Sequence, residues 1–369
     1  HAVSTSHCLI DLLHTLHTQA EQKKSVSSVL LTDFSKAFDR VDHTTAITKL
    51  LNMGVSSSIV AWVADFLSNR VYRVRYGQSF SDWSPVCAGV PQGTKLGPVV
   101  FLATVNDISF NEVNTGTSVQ HFKYMYVDDL TLVETRAVNA RSNLPKVLAD
   151  LHDWSIRNKM QLNPSKCQIF DVCFSRVRPA PSSLCLNDVT IKQSNTVKLL
   201  GVLIQSDLKW DMQVNSMIRR GNSRLFMLRK LKHFHLTTKD LVTVFVSFVR
   251  PVVEYAVPVW TSGITSKHVK DLERVQRRAC KIILGLEYDS YRHALQMLEL
   301  DTLQERRQKL CISFAKTIPN SELKKHLPSA VTSTYNLRKS EQYTVPRCRT
   351  ERFKKSPMPF FTKILNNNN

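Results

Sequence analysis

The stretch Tyr126-Val127-Asp128-Asp129 lies between two short apolar runs, residues 121–125 and 130–133. Both runs are rich in aromatic or β-branched residues, which favour β-strands. The stretch is therefore predicted to form the tip of a β-hairpin. Adjacent carboxylates at the end of buried strands are costly unless a cation binds them, and Mg²⁺ prefers oxygen ligands of this kind. The alternative is an ordinary β-turn, in which Asp is common.

A third carboxylate, Asp33, follows the apolar run Ser28–Thr32 far upstream of the hairpin. If that run is a strand beside the hairpin, the three acids meet at one edge of a sheet. Two divalent ions held by such carboxylates can clamp the attacking and leaving oxygens of a phosphoryl displacement, as in polymerases. For Asp33 alone, a helix N-cap is the alternative interpretation.

A loop rich in glycine is the third informative segment. Three of the ten glycines of the chain fall within residues 89–97, which indicates close approach of another group to the backbone there. A helix-like stretch, residues 99–106, follows, and such a turn can present N–H groups to an anion or a nucleic-acid strand. The Walker spacing is absent, and an ordinary Gly- and Pro-rich loop is the alternative.

Together these segments resemble the palm of a reverse transcriptase, specifically that of non-LTR (LINE-like, jockey-type) retrotransposons. Five motifs occur in the order of that family, over roughly residues 1–260: Leu31–His43, Gly89–Gly93, Tyr126–Asp129, Met160–Cys167 and, for the primer-grip hairpin, Val197–Val202. Any one motif is weak, whereas the five together are specific.

The resemblance implies roles for individual residues. Two Mg²⁺ ions, for which Mn²⁺ could substitute, would be held by Asp33, Asp128, Asp129 and the backbone carbonyl of Phe34. Phe38 would lie under the incoming sugar and exclude a 2′-OH, or else it is a core residue. Gln92 and Gly93 would pack against the nucleotide and template. Lys166 would protonate the pyrophosphate leaving group or stabilise its charge; a solvated surface lysine is the alternative.

The chain departs from the family pattern in three places. Val127 replaces a more usual alanine, and Thr94-Lys95 replaces a serine followed by an apolar residue. Lys95 would contact a phosphate or face solvent. The first residue is His1 rather than Met, and residues 4–13 resemble the end of the fingers. We therefore expect a chain truncated at its N-terminus, for which activity in isolation is an open question.

The net charge of +20 is concentrated in the C-terminal part. From Asp211 onward there are 29 Lys and Arg against 13 Asp and Glu. A positive electrostatic potential of this kind favours binding of a polyanion, and the affinity is expected to fall as the salt concentration rises. The basic residues recur at helical spacing in four clusters: Arg219-Arg220, Arg229-Lys230-Lys232, Arg274-Arg277-Arg278-Lys281 and Arg306-Arg307-Lys309. We expect nucleic-acid contact from some of them, and solvated helix faces from the rest.

Eight scattered cysteines show no paired spacing, so no zinc site is predicted. Without a visible signal peptide, the chain is expected to be intracellular, nuclear and cytoplasmic. Leu241–Trp260 is apolar enough to resemble a membrane span, but it contains Arg250 and Glu254. Since a charge in mid-span costs about 3 kcal/mol, two buried helices and no membrane are predicted.

The predicted fold class is α+β, a right-hand polymerase palm in which helices pack on an antiparallel sheet. Partial fingers, a helical thumb and a helical extension complete it. The expected divisions are 1–27, end of the fingers; 28–205, palm, with a fingers insert at about 55–88; 206–317, thumb and extension; and 318–369, a basic, loosely ordered tail.

The sequence thus predicts an RNA-directed DNA polymerase that adds dNTPs to a DNA primer on an RNA template. The first alternative is a non-catalytic RNA-binding fragment or scaffold with a palm fold, which would not need three acids at these positions. A polymerase of another lineage is disfavoured by Phe38 and by the form of the stretch 126–129.

Overall fold

The computed structural model of the chain describes residues 4–109, 119–177, 179, 183–329 and 343–367. It forms two compact units. The first, here the acidic-site unit, comprises residues 27–170 and 177–194, and the second, the helical unit, comprises residues 1–26, 171–176 and 195–369. The mixture of sheet and helices agrees with the predicted α+β class, but the units do not follow the predicted divisions.

The described strands are β1 (Ser25–Thr32), β2 (Val71–Tyr72), β3 (Arg75–Tyr76), β4 (Ser79–Phe80), β5 (Ser84–Pro85), β6 (Gln120–Tyr126), β7 (Asp129–Ala137), β8 (Gln168–Cys173), β9 (Cys185–Leu186), β10 (Val189–Thr190), β11 (Lys192–Gln193), β12 (Thr196–Leu199) and β13 (Val202–Gln205). The described α-helices are α1 (Thr5–Gln19), α2 (His43–Asn52), α3 (Ser57–Leu67), α4 (Leu96–Val105), α5 (Leu144–Arg157), α6 (Asp211–His233), α7 (Thr238–Val244), α8 (Arg250–Glu254), α9 (Val257–Trp260), α10 (Ser266–Leu284), α11 (Tyr291–Met297), α12 (Leu303–Ala315), α13 (Glu351–Lys354) and α14 (Pro357–Asn367).

The sheet of the acidic-site unit has five strands in the order β11-β8-β1-β7-β6. β1 is central, and six of its eight residues are buried. Three of these are Ser27, Ser28 and Thr32, whose hydroxyls form hydrogen bonds with Thr135, Arg136 and the Leu130 carbonyl. β6 and β7 form an antiparallel hairpin paired from Gln120 with Thr135 to Tyr126 with Asp129. The predicted hairpin at 120–134 is confirmed.

Residues 138–159 have an amphipathic pattern with apolar residues on one stripe, which predicts a helix, and α5 packs on the sheet of the acidic-site unit through this stripe. All five residues of that stripe are buried: Leu144, Val147, Leu148, Leu151 and Trp154. They join one hydrophobic cluster with Leu30 of β1 and Leu132 of β7. Burial of these apolar side chains stabilises the packing of α5 against β1 and β7, the two strands that carry the acids.

In the helical unit, the apolar periodicity of the sequence beyond Asp211 predicts helices at 211–232, 238–249, 266–284, 290–298 and 301–317. The structure confirms them with small shifts of their ends. α6 packs along α10, and the hairpin β12–β13 packs on α6. The Gln213 side chain is fully buried and accepts a hydrogen bond from the Leu203 amide at 3.0 Å. The hairpin that the fifth motif forms is thus fixed to α6.

By length and apolar composition, Thr238–Gly263 is one helical segment that could cross a membrane. The segment is not a continuous α-helix, because a π-helical turn spans Phe245–Val249 and Ala256 is left-handed with φ of 52°. It forms separate helical pieces, as predicted. Only a third of its most apolar window is buried, so the prediction of fully buried helices is wrong for much of its surface.

The described part of the tail is ordered, which corrects the prediction of a loose segment from 318 onward. α14 packs on α1 and α12, and its Phe361 is fully buried. Arg352 donates to the Ala20 carbonyl at 2.9 Å and stacks on the Phe174 ring at 3.6 Å. The high content of Ser, Thr and Lys in this tail led to the wrong prediction, because the tail contains a short amphipathic helix, α14. Residues 330–342 and 368–369 of the same prediction lie outside the described residues.

The sequence also predicts single strands at Val71–Tyr76 and Ser183–Gln193, and both predictions are wrong in detail. The first segment divides into β2 and β3, and the second divides into β9, β10 and β11. Asn187 and Asp188 take left-handed φ values of 50° and 59° between β9 and β10. Asn and Asp tolerate this conformation better than other side chains, so they turn the chain where a single strand was expected.

The Phe361→Ala variant tests the ordered tail. Removing a fully buried phenyl ring should lower the free energy of unfolding by about 3–5 kcal/mol, measured by urea denaturation. Phe226→Ala, which removes an exposed ring from α6, is the matched control and should cost less than about 1 kcal/mol. Equal effects of the two variants would mean that α14 does not pack on the helical unit.

Candidate active site

Asp128 and Asp129 lie exposed at the tip of the β6–β7 hairpin. The pair Tyr126 and Asp129 closes the hairpin, which leaves Val127 and Asp128 as its turn. Val127 has φ of +58°, an unfavourable conformation for a β-branched residue. Backbone strain of this kind concentrates at functional sites, where the surrounding structure imposes it. Here the β6–β7 pairing imposes it and presents both carboxylates together.

Asp33 follows directly on β1, which neighbours β7 in the sheet. The ends of the two strands are joined by a hydrogen bond of 3.0 Å from the Thr32 hydroxyl to the Leu130 carbonyl. The pKa of Asp129 is raised, first by removal from water and then by the negative charges of Asp128 and Asp33. The three predicted acids therefore act on one another electrostatically.

Lys166, which belongs to the fourth motif, lies beside Asp33. Backbone hydrogen bonds of 2.8 Å run from the Asn163 amide to the Asp33 carbonyl and from the Ser35 amide to the Gln161 carbonyl. They hold the motif against the end of β1 and bring Lys166 Nζ to 3.2 Å from Asp33 Oδ2. The Lys166 side chain is 63% exposed, so its ammonium can also reach a ligand.

The Gly-rich loop packs on the turn that follows β1. The Val90 amide donates to the Phe38 carbonyl at 2.9 Å, and the Phe38 ring stacks on Phe101 of α4 with ring centres 4.5 Å apart. Gln92 Nε2 donates to Asp39 Oδ1 at 3.1 Å. The structure thus brings Phe38 and Gln92 to the same turn, while exposed Gly93 follows in the loop.

Two contacts in this loop had no signal in the sequence pattern. His43 Nε2 donates to the Gly89 carbonyl at 2.8 Å, and the Asp39 carboxylate is the partner of Gln92. His43 and Asp39 both belong to the first motif, but the spacing of the motifs did not predict which residues they contact. Phe34 is buried and forms an isolated bridge with Leu162; whether its carbonyl binds a metal stays a prediction. Lys95 is exposed.

Gly89→Ala should distort this loop. A Cβ at Gly89 would lie 2.8 Å from the Asp39 carbonyl oxygen, and φ is +89°. Gly54→Ala is a matched control, because Gly54 has a similar φ of +79° but no atom within 4 Å of the added Cβ. The left-handed backbone lowers the free energy of unfolding in both variants. Gly89→Ala should lower it by about 1–3 kcal/mol more, because the added Cβ overpacks the loop. Urea denaturation measures the difference; equal costs would contradict the close approach to Asp39.

The donor chemistry of the acids suits a divalent cation. Asp33 Oδ2 accepts no hydrogen bond from the part of the chain that the structure describes, and its cationic neighbour is the Lys166 ammonium, 3.2 Å away. A divalent cation would relieve the repulsion that raises the pKa of Asp129. Within the described ranges, however, no three His, Cys, Asp or Glu residues lie close enough together to hold a metal ion. The acids are adjacent, but their side chains are not arranged as a closed ligand cage.

The basic clusters of the helical unit differ in exposure. The residues at 219, 220, 229, 230, 274, 277, 278 and 281 are exposed on α6 and α10. In the fourth cluster, Arg306 donates to Glu254 at 2.9 Å and Arg307 is buried. The prediction of a surface cluster at 306–309 is therefore wrong for both arginines, which stabilise helix packing instead.

Comparison with known proteins agrees with the motifs. The family model described as "Reverse transcriptase (RNA-dependent DNA polymerase)" matches residues 2–204. The chain is 26% identical to a probable RNA-directed DNA polymerase from transposon X-element of Drosophila melanogaster, covering 76% of the chain and 31% of that protein. It is 24% identical to the RNA-directed DNA polymerase from mobile element jockey of Drosophila funebris, covering 72% of the chain and 29% of that protein.

Among solved structures, a telomerase from Candida tropicalis in complex with a telomeric RNA fragment aligns with a TM-score of 0.43 and 11% identity. The alignment covers 88% of the chain and 52% of the telomerase chain. The chain spans about a third of the length of the curated relatives that it matches.

Proposed function

The chain belongs to the reverse transcriptase family, and from that premise we propose that it is the RNA-directed DNA polymerase segment of a LINE-like retrotransposon protein. The primer 3′-OH attacks the α-phosphate of a dNTP and loses its proton, a new P–O bond forms, and pyrophosphate leaves. The observation that carries this proposal is the position of Asp33 at the end of β1, next to the β6–β7 hairpin that bears Asp128 and Asp129, although the two segments are far apart in sequence.

Reverse transcriptases generally use divalent metal ions, and we assign two Mg²⁺ to the three carboxylates and the Phe34 carbonyl. The repulsion among the three carboxylates, which raises the pKa of Asp129, supports this assignment, and Mn²⁺ has a similar preference for oxygen. When bound, such ions stabilise the charge on the attacking and leaving oxygens. Nearly all catalysis of this kind is positioning and charge stabilisation.

The neighbouring residues position the reactants in this proposal. The Lys166 ammonium, held beside Asp33, places positive charge where negative charge develops on the leaving group, and it can donate a proton there. The Phe38 ring is backed by buried Phe101, so it is a rigid wall under the sugar. Gln92 and Gly93 form the loop surface against the nucleotide and template.

An RNA template and a DNA primer are the proposed partners. The exposed Lys and Arg of α6 and α10 support binding of a polyanion, and each phosphate contact adds to the salt dependence of the affinity. The same surface favours the second candidate, an RNA-binding fragment without catalysis. The two candidates differ only in whether the acids are used.

Primer extension on an RNA template with Mg²⁺ and dNTPs tests the proposal. The chain should extend the primer, Asp128→Asn should not, and Asp65→Asn, which neutralises an exposed acid on α3, should extend it normally. Extension that survives in Asp128→Asn would contradict the assignment. Absence of extension in all three, with retained salt-sensitive RNA binding, would favour the second candidate.

A further inference from the structure

Residues Arg70–Val86 form a small β-ribbon, here called the arginine–aromatic ribbon. β2 pairs with β5 and β3 pairs with β4, and the chain reverses near Gly77, which has φ of +60°. The Val86 amide donates to the Arg70 carbonyl at 2.8 Å and closes the base. From Ser68 to Ala88 every residue is at least partly exposed, so the ribbon has no core of its own.

The ribbon exposes large apolar side chains to water. Their exposed fractions are Val71 57%, Tyr72 54%, Val74 62%, Tyr76 88%, Phe80 49% and Trp83 60%. A two-stranded ribbon is marginally stable in water, and apolar side chains gathered on a surface mark an interaction site. The ribbon is therefore built to contact another molecule.

The charge and stacking of the ribbon indicate the chemistry of that molecule. Arg73 Cζ lies 4.0 Å from the centre of the Phe80 ring and 4.6 Å from that of Trp83, and Arg75 lies 5.5 Å from Phe80. Residues 70–86 contain three arginines and one acid, Asp82. Flat guanidinium groups interleaved with aromatic rings offer phosphate contacts and stacking faces together, the combination that single-stranded nucleic acids need.

The base of the ribbon is tied to the candidate active site through the chain itself. Three residues after Val86, the Gly89 amide donates to the Val41 carbonyl at 2.8 Å, and a Cβ at Gly89 would meet the Asp39 backbone. The loop that follows carries Gln92 and Gly93. The ribbon and the loop that carries Gln92 and Gly93 are thus separated by only a few residues of backbone. A nucleic-acid strand bound to the ribbon would lie near this loop.

We propose that the arginine–aromatic ribbon binds single-stranded RNA, with unpaired bases stacked on Tyr76 and Trp83 and phosphates near Arg73 and Arg75. The proposal rests on the proposed function, since the bound strand is the unpaired part of the template. It adds a binding surface outside the five sequence motifs.

The affinity of the chain for a short unstructured RNA, measured by fluorescence anisotropy, tests this proposal. Tyr76→Ala and Trp83→Ala should each weaken binding about tenfold or more, in the range of base–aromatic stacking. Trp62→Ala is the matched control, because Trp62 on α3 is also 60% exposed but lies outside the ribbon; its affinity should stay within about twofold of the parent. Trp83→Phe, which keeps a ring, should restore most of the binding.

A blunt RNA–DNA duplex is the second probe, and all variants should bind it as the parent does. Unchanged RNA affinity in both ribbon variants would overturn the proposal, and so would an equal loss for the duplex or for Trp62→Ala. A dimer that the ribbon variants dissociate without loss of RNA affinity would instead make the ribbon an interface between copies of the chain.

This binding assay needs no dNTP and no turnover, so it separates the two proposals. A chain that does not extend a primer but loses RNA binding in the ribbon variants would retain the ribbon proposal and refute the polymerase. Normal primer extension with unchanged RNA binding in the ribbon variants would support the polymerase and refute the ribbon proposal.

Discussion

Asp129→Asn should reduce RNA-templated primer extension by about 10³-fold or more, because the several kcal/mol of charge stabilisation that bound cations supply would be lost. Template–primer affinity should change little, since the basic residues of α6 and α10 are untouched. Single-turnover incorporation and anisotropy measure the two quantities separately. A parallel loss of affinity and rate would indicate a damaged fold rather than a lost carboxylate.

The same variant should be more stable than the parent. The folded-state pKa of Asp129 is raised above its ordinary value by partial removal from water and by the charges of Asp128 and Asp33, so the folded chain binds this proton more tightly than the unfolded chain. The free energy of unfolding therefore falls as pH rises from the ordinary pKa through the raised one. At neutral pH and without divalent ions, Asn removes this penalty, and thermal unfolding should shift upward relative to Asp65→Asn, which should match the parent.

Phe38→Ala should relax the choice of sugar. Without a rigid ring under the incoming nucleotide, the ratio of kcat/KM for ribonucleotides to that for deoxynucleotides should rise roughly 10- to 200-fold. Primer extension with each nucleotide class on one template gives the ratio directly. Because the ratio is taken within one variant, any loss of packing against Phe101 affects both rates.

Phe38→Tyr is the control for the sugar experiment, because it keeps a ring of the same shape. Its discrimination should stay near that of the parent. If Phe38→Ala discriminates as well as the parent does, Phe38 is a core residue and another group selects the sugar.

The elements that carry the acids could be predicted from the sequence because they satisfy local rules. Aromatic and β-branched residues on both sides of 126–129 predicted the hairpin, and the apolar run before Asp33 predicted a strand. The stripe at Leu144–Trp154 predicted α5. In α5 the helical period of the apolar residues matches the face that is buried.

Contacts between distant segments could not be predicted in this way. The hydrogen bond from Gln92 to Asp39 and that from Tyr255 to the Leu200 carbonyl, at 2.7 Å, depend on packing across many residues. The burial of α14 was missed because only five of its 11 residues are strongly apolar and the surrounding composition is polar. The count of charged residues likewise suggested that Arg306 and Arg307 lie on the surface. In the structure, Arg306 is bound by Glu254 and Arg307 is buried.

The central claim is that Asp33, Asp128 and Asp129 act as one cation site although they come from separate strands. Mn²⁺ binding, followed by the electron paramagnetic resonance signal of the free ion, tests it without turnover. The parent chain and Asp65→Asn should bind Mn²⁺, Mg²⁺ should compete, and Asp33→Asn should weaken binding as strongly as Asp128→Asn does. Mn²⁺ binding that Asp33→Asn leaves unchanged, or no binding to the parent at all, would contradict the account.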